Sequence, residues 1–205
     1  GSELARLLPQ FKRWYSQAGT PRVRATGRYD ADSRRYTLQL SQTCQATPGQ
    51  GYKEAFVVPI ALGLLAADGS ELVRPATDTG TQTPSLFVMT EPSHTLVFEN
   101  LDAEPVPSLL RGFSAPVVLD IGYSDTQLLS LLAHDTDPFN RWEAAQRLAV
   151  RRALQAIGAE AVAAPAAPLD DAFMDAMRGV LRHPTLDAAF KELVLTLPSE
   201  SYLAE

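Results

Sequence analysis

A hydrolytic zinc site needs three protein ligands and an open position, most recognisably His-Glu-x-x-His, where two histidines one helical turn apart face the same ion. The chain has three histidines, His94, His134 and His183, and none has a second histidine at helical spacing. Asp135 and Asp137 follow His134 and could supply oxygen ligands, but capping between two helices accounts better for carboxylates in that position. Glu91 and His94 stand three apart, yet Pro92 between them makes this a loop or strand entry rather than a helical pair. Cys44, the single cysteine, has no histidine or strongly basic neighbour in sequence to lower its pKa, so it reads as a half-buried thiol rather than a nucleophile. Ser114 and Ser130 lack the Gly-x-Ser-x-Gly elbow, and neither a Gly-x-Gly-x-x-Gly nor a Gly-Lys-Ser/Thr phosphate loop occurs. Asp170 and Asp171 open a helix, where dipole and cap explain acidic side chains. The expectation is a chain with no catalytic, cofactor or metal residues of its own.

Bulk properties narrow the partners. Net charge is −6 with basic residues dispersed, the adjacent arginine pairs being Arg34-Arg35 and Arg151-Arg152, so nucleic acid is not an expected partner. The longest apolar stretch, Phe56 to Leu65, is interrupted by Pro59 and falls far short of the roughly 20 residues needed to cross a bilayer. No membrane partner is expected. A lone cysteine says little for an oxidising compartment. With 205 residues, 45% of them hydrophobic, one large or two small cores are affordable without metal or disulfide staples. Gly1-Ser2, without an initiator Met, is expected to be a cloning remnant.

The elements fall into three stretches. Leu4, Leu7, Leu8, Phe11, Trp14 and Tyr15 recur at three- and four-residue spacing and predict a helix face, with a break or late start at Pro9 and an end at Gly19-Thr20-Pro21. From Val23 to Ile121 the period becomes two, clearest where Tyr36, Leu38 and Leu40 alternate with Thr37, Gln39 and Ser41. Further strands are predicted at Phe56–Leu65, Ser85–Met89, His94–Glu99, Leu109–Phe113 and Val117–Ile121, with turns at Ala67–Ser70 and Pro48-Gly49. This pattern predicts an antiparallel immunoglobulin-like sandwich of about seven strands. At Ser124 helices begin: Ser124 and Gln127 have capping-box spacing, and Leu128, Leu131 and Leu132 form a stripe. Asp137 and Pro138 open a second helix with Phe139, Trp142, Ala149, Ala153 and Ile157 on one face. Ala159–Pro168 reads as an Ala/Pro loop. A third helix, capped by Asp170, carries Phe173, Met177, Val180 and Leu181 and is closed by His183-Pro184. A fourth carries Leu186, Phe190 and Leu193 and stops before Pro198.

Particular runs then suggest a family. Phe11–Pro21 (FKRWYSQAGTP) resembles the segment closing the catalytic domain of the bacterial aminopeptidase N family, zinc metallopeptidases that remove N-terminal residues from peptides. Pro105–Val117 (PVPSLLRGFSAPV) resembles the end of that family's small β-sandwich domain. Phe139–Gln146 (FNRWEAAQ) and Leu195–Glu200 (LTLPSE) resemble the opening of its large C-terminal helical domain. The similarity runs in order through residues 3–205.

The resemblance implies three parts: 3–20, the end of the preceding catalytic-domain helix; 21–123, the β-sandwich; and 124–205, the first part of the all-α domain. The family's zinc and substrate motifs lie upstream of this region and neither is present, so no catalytic residue carries over. It further implies zinc in the parent enzyme, a cytoplasmic location, and as partners the upstream catalytic domain and the remaining C-terminal helices of the same polypeptide. The leading reading is therefore a noncatalytic scaffold that positions a helical cap, with Trp14, Tyr15 and Trp142 as interdomain packing residues. The alternative is an independent immunoglobulin-like binding module with a helical appendage.

Overall fold

A computed structural model describes residues 3–72, 86–161 and 171–203. Of the positions singled out above, Gly1, Ser2, Ser85, Asp170 and 162–168 lie outside the described residues, as do the side chains of Leu4 and 159–161. The chain divides into two compact units: residues 1–66 with 71–122, and Ala67–Ser70 with Tyr123–Glu205.

The first unit opens with helices α1 (Glu3–Phe11) and α2 (Arg13–Ser16). Pro9 lies inside α1, where it forgoes one backbone bond without ending so short a helix. The left-handed residue that follows is Gly19, φ +98°, but α2 has already ended at Gln17, whose backbone is extended. The glycine therefore turns the chain toward the sheet rather than capping the helix.

Eight strands follow among the described residues: β1 (Arg22–Asp30), β2 (Arg35–Thr43), β3 (Val58–Leu65), β4 (Glu71–Leu72), β5 (Leu86–Met89), β6 (Ser93–Phe98), β7 (Val106–Leu109) and β8 (Val118–Ile121). One sheet has the order β6-β2-β1-β8. In the other, β3 is central, pairing with β5 through its first half and with β7 and β4 through its second. Val23, Ala25, Tyr36, Leu38 and Leu40 from the first sheet share one core with Val58, Ile60, Leu62, Leu64, Met89 and Leu109 from the second. Strict alternation along β2, with Tyr36, Leu38, Leu40 and Gln42 inward, places that core. The sheets are antiparallel except where β8 runs parallel to β1, Arg22 opposite Val118 and Ala25 opposite Ile121.

The stretch Leu109–Phe113, expected as a strand, is not one. β7 ends at Leu109, and Leu110, Gly112 and Phe113 take positive φ of 58°, 62° and 53° around a single 3-10 turn. Left-handed backbone at Leu and Phe costs about 1–2 kcal/mol per residue. Tertiary bonds offset it: Arg111 reaches Ser108 Oγ at 2.8 Å and Glu71 at 2.6 Å. Ser114 Oγ, meanwhile, accepts from Ala61 N and donates to Pro59 O, both at 3.0 Å.

The second unit holds α3 (Asp125–His134), α4 (Pro138–Ala161), α5 (Asp171–Arg182), α6 (Ala188–Leu195) and α7 (Glu200–Leu203). The capping box at Ser124 and Gln127 forms in both directions, and Leu128, Leu131 and Leu132 are buried. Asp137 Oδ1 accepts from Asn140 N at 2.9 Å at the head of α4. That helix buries Ala144, Ala145, Leu148 and Ala149; of the face expected for it, Ile157 is exposed and Phe139 and Trp142 are half-buried. Ala149 of the expected face is among the buried residues, so the buried face overlaps the expected one but runs through Ala145 and Leu148 rather than Phe139 and Ile157. α4 also continues through Ala161 into the stretch expected as a loop, consistent with alanine's high helix propensity. In α6 the buried residue is Val194, while Leu193 points outward.

Candidate functional site

The densest polar construction in the first unit surrounds an extended segment, Glu54–Val57, that belongs to no strand. Its backbone would be left without partners in a half-buried position, a costly arrangement unless side chains fill in. They come from two directions. From α1, α2 and the residue after them, Gln10 Nε2 donates to Ala55 O (3.1 Å) and Thr90 O (2.6 Å), and Arg13 donates to Ala55 O (2.6 Å). Trp14 Nε1 donates to Val57 O (2.9 Å), and Gln17 donates to Glu54 O (2.9 Å) while accepting from Glu54 N (2.7 Å). Arg13 also pairs with the Glu54 carboxylate at 3.0 Å. The Trp14 ring lies 4.8 Å from that of Phe56.

From β2 comes Gln42, only 6% exposed. Its amide accepts from Phe56 N (2.8 Å) and donates to Phe56 O (3.0 Å) and Glu91 O (2.9 Å). A glutamine thus takes the place of a neighbouring strand. Just beyond, Gln50 accepts from Ala18 N and donates to Ser16 O, each at 2.8 Å. Lys53 Nζ donates to Ala18 O (2.9 Å), Thr47 Oγ1 (2.7 Å) and Gln50 Oε1. Gln10, Arg13, Trp14, Ser16, Gln17 and Ala18 are thereby fastened to Gln50, Lys53, Glu54, Ala55 and Val57.

Among the residues expected to pack between domains, Trp14 lies in this strip. Tyr15 is 83% exposed, with its ring edge-on to Phe11 at 6.4 Å. Trp142 stands in the other unit, half-buried on α4 with Phe139 5.8 Å away. Residue spacing pointed to Trp14; it did not point to Gln10, Gln17, Gln42 or Lys53. Gln42 carried a usable signal, because it occupies the inward parity of β2 next to three core residues, where a polar side chain must find partners.

Several of the residues considered for chemistry have structural partners, whereas the Ser130 hydroxyl is buried with no hydrogen-bond partner among the described residues. His94 stacks on Phe87, ring centroids 4.4 Å apart. Asp135 Oδ1 accepts from Asp137 N at 2.9 Å, so both carboxylates after His134 serve the junction between α3 and α4. His183 follows α5 and accepts from Thr185 N at Nδ1, 3.3 Å away; desolvation first, then the charges of Arg141 and Lys191, hold its pKa below the ordinary histidine value. Cys44 is half-buried with Sγ 3.7 Å from Ala18 O. Among the described residues no group of three His, Cys, Asp or Glu could hold a metal ion. No helix of the described residues is long and apolar enough to cross a membrane.

Comparison with known proteins gives a similar two-part division, except that 67–70 fall within the first match. A family model described as a domain of unknown function (DUF3458) with an Ig-like fold matches residues 19–122. A second, described as a domain of unknown function (DUF3458_C) with ARM repeats, matches 125–205. An immunoglobulin-like sandwich followed by ARM-type helices is the class this chain represents.

Aminopeptidase N of Escherichia coli is 38% identical over 97% of the chain, that of Haemophilus influenzae 33% and that of Caulobacter vibrioides 40%, likewise over 97%. The chain spans 22% of the length of each of these relatives. The solved structure of Legionella pneumophila aminopeptidase A in complex with aspartic acid superposes with a TM-score of 0.76 at 28% identity, covering 96% of this chain and 20% of that one. The chain belongs to the aminopeptidase N family, through the two DUF3458 regions.

Proposed function

We propose that this chain is the noncatalytic connector of a longer zinc aminopeptidase that removes N-terminal residues from peptides, its sandwich holding the helical domain in position against a catalytic domain. The observation that supports this reading is the strip at Glu54–Val57. The residues that resemble the close of the family's catalytic domain, Phe11–Pro21, include Arg13, Trp14 and Gln17, which bond to that strip. A segment that ends one domain and is bonded side chain by side chain to the next transmits position rather than catalysing. In this proposal zinc belongs to the catalytic domain, the partners are that domain and further C-terminal helices of the same polypeptide, and the parent enzyme is cytoplasmic.

The test uses the parent enzyme and its separated parts. The portion of the parent carrying its zinc motif is purified and mixed with the present chain, and binding and cleavage of an aminoacyl chromogenic substrate are measured. Complex formation with a gain in activity or thermal stability is expected. A catalytic portion that is fully active alone and ignores this chain would favour a free-standing binding module and overturn the proposal.

A further inference from the structure

The turn Ala67–Ser70 joins β3 to β4, both strands of the first unit, yet its contacts place it with α3–α7. Three features shape it. Asp68 Oδ1 accepts from Ser70 N at 2.9 Å and from Ser70 Oγ at 2.7 Å, closing a preformed turn. Gly69 has φ +83°, a conformation that side-chain-bearing residues rarely adopt. A Cβ at Gly69 would stand 2.2 Å from Cβ, 2.4 Å from Cγ and 2.8 Å from Nδ1 of His134, all closer than non-bonded heavy atoms can pack. The glycine is thus demanded twice over, by backbone and by neighbour.

His134, an exposed residue, is the last of α3, and the position after it is buried. Asp135, its C-cap, is 1% exposed. Arg141 of α4 donates to Ala133 O and Asp135 O, each at 3.1 Å, which satisfies carbonyls that the end of a helix leaves without partners. The remaining side of the last turn carries His134, and the face of Gly69 lies against it.

We propose that Ala67–Ser70 is a glycine-keyed insert that completes the C-terminal end of α3, so that the helical unit is discontinuous in sequence and does not begin at residue 123. Its fit depends on the absence of a side chain at Gly69 and on the Asp68–Ser70 bonds that hold the turn in shape. The inference stands independently of the connector reading, because it concerns the integrity of one unit rather than its role in an enzyme.

Hydrogen exchange with peptide-level resolution on the whole chain tests it. Gly69→Ala is compared with Gly49→Ala, since Gly49 also has positive φ (+78°) but nothing within 4 Å of its Cβ position. In Gly69→Ala, amides at the end of α3 should exchange about tenfold faster, with β2 unchanged. Gly49→Ala should leave α3 as it was. A second variant, Asp68→Ala with Ser70→Ala, loosens the turn without a clash and decides the matter should Gly69→Ala fail to fold; it should speed the same α3 amides about threefold. Unchanged α3 exchange in the double variant, or equal α3 effects from the two glycine variants, would overturn the proposal.

Discussion

Replacing Gln42 with leucine tests whether side chains truly stand in for a strand along Glu54–Val57. The substitution keeps an inward-facing side chain, one atom shorter, and removes three bonds, to Phe56 N, Phe56 O and Glu91 O. Glu91 is exposed and its carbonyl can turn to water, but Phe56 is 2% exposed, so its N–H and C=O are left unpaired in the core. Each buried orphan costs about 1–3 kcal/mol, and the greater apolar burial of leucine returns about 1 kcal/mol, for a net loss of about 3 kcal/mol. Urea unfolding would read this through Trp14, whose ring lies on Phe56, in a Trp142→Phe background that removes the other tryptophan. The midpoint should fall by about 1–2 M urea at unchanged slope. Gln39→Leu, on the exposed face of the same strand, should shift it little. Gln42→Glu adds a sign: only a protonated carboxyl can both donate to Phe56 O and accept from Phe56 N. Burial would raise the folded-state pKa of that glutamate above its unfolded value, so its stability is greatest below the unfolded pKa and declines as pH rises through the folded one. A Gln42→Leu midpoint within about 0.3 M of the parent would refute the reasoning.

Further outcomes follow from other contacts. Trp14→Phe keeps an aromatic ring against Phe56 but loses the bond to Val57 O, and should cost about 1 kcal/mol in urea unfolding followed by circular dichroism. Arg141→Met leaves the Ala133 and Asp135 carbonyls without their donor and should destabilise the helical unit by about 2–4 kcal/mol, measured by thermal unfolding followed by circular dichroism. Asp125 is bonded by Arg151 at 2.7 Å and Arg152 at 2.5 Å, which hold its carboxyl below the ordinary value. Its folded pKa being depressed, its contribution is present above the unfolded pKa and is lost as pH falls through the folded one. Asp125→Asn should therefore flatten the acid limb of stability, with a loss at pH 7 of only about 0.5–1 kcal/mol because the group is partly exposed. Exhaustive dialysis against a chelator should leave the melting temperature of the chain unchanged; a fall on metal removal, restored by zinc, would show a structural site.

Local chemistry written into consecutive residues was enough to determine much of this protein. The capping box of Ser124 and Gln127, the cap at Asp137 followed by Pro138, and the alternation of Tyr36, Leu38 and Leu40 each involve groups within a few residues of one another, so spacing alone specifies them. The family, likewise, was legible in contiguous runs such as Phe11–Pro21. What tertiary structure decided were the features whose partners are distant in sequence. Leu109–Phe113 has strand-like composition, but Arg111 and Ser114 find Glu71 and β3, and those bonds hold the chain in a left-handed turn. The face α4 buries runs through Ala144, Ala145, Leu148 and Ala149 and leaves Phe139 and Trp142 half-buried and Ile157 exposed, a choice made by the partners the helix meets and not by its own spacing. The strip at Glu54–Val57 is recognised only when Gln10, Arg13, Trp14 and Gln17 converge with Gln42 upon it. A hydrogen bond across dozens of residues leaves no period in the sequence, only a polar residue at a position where burial would otherwise forbid one.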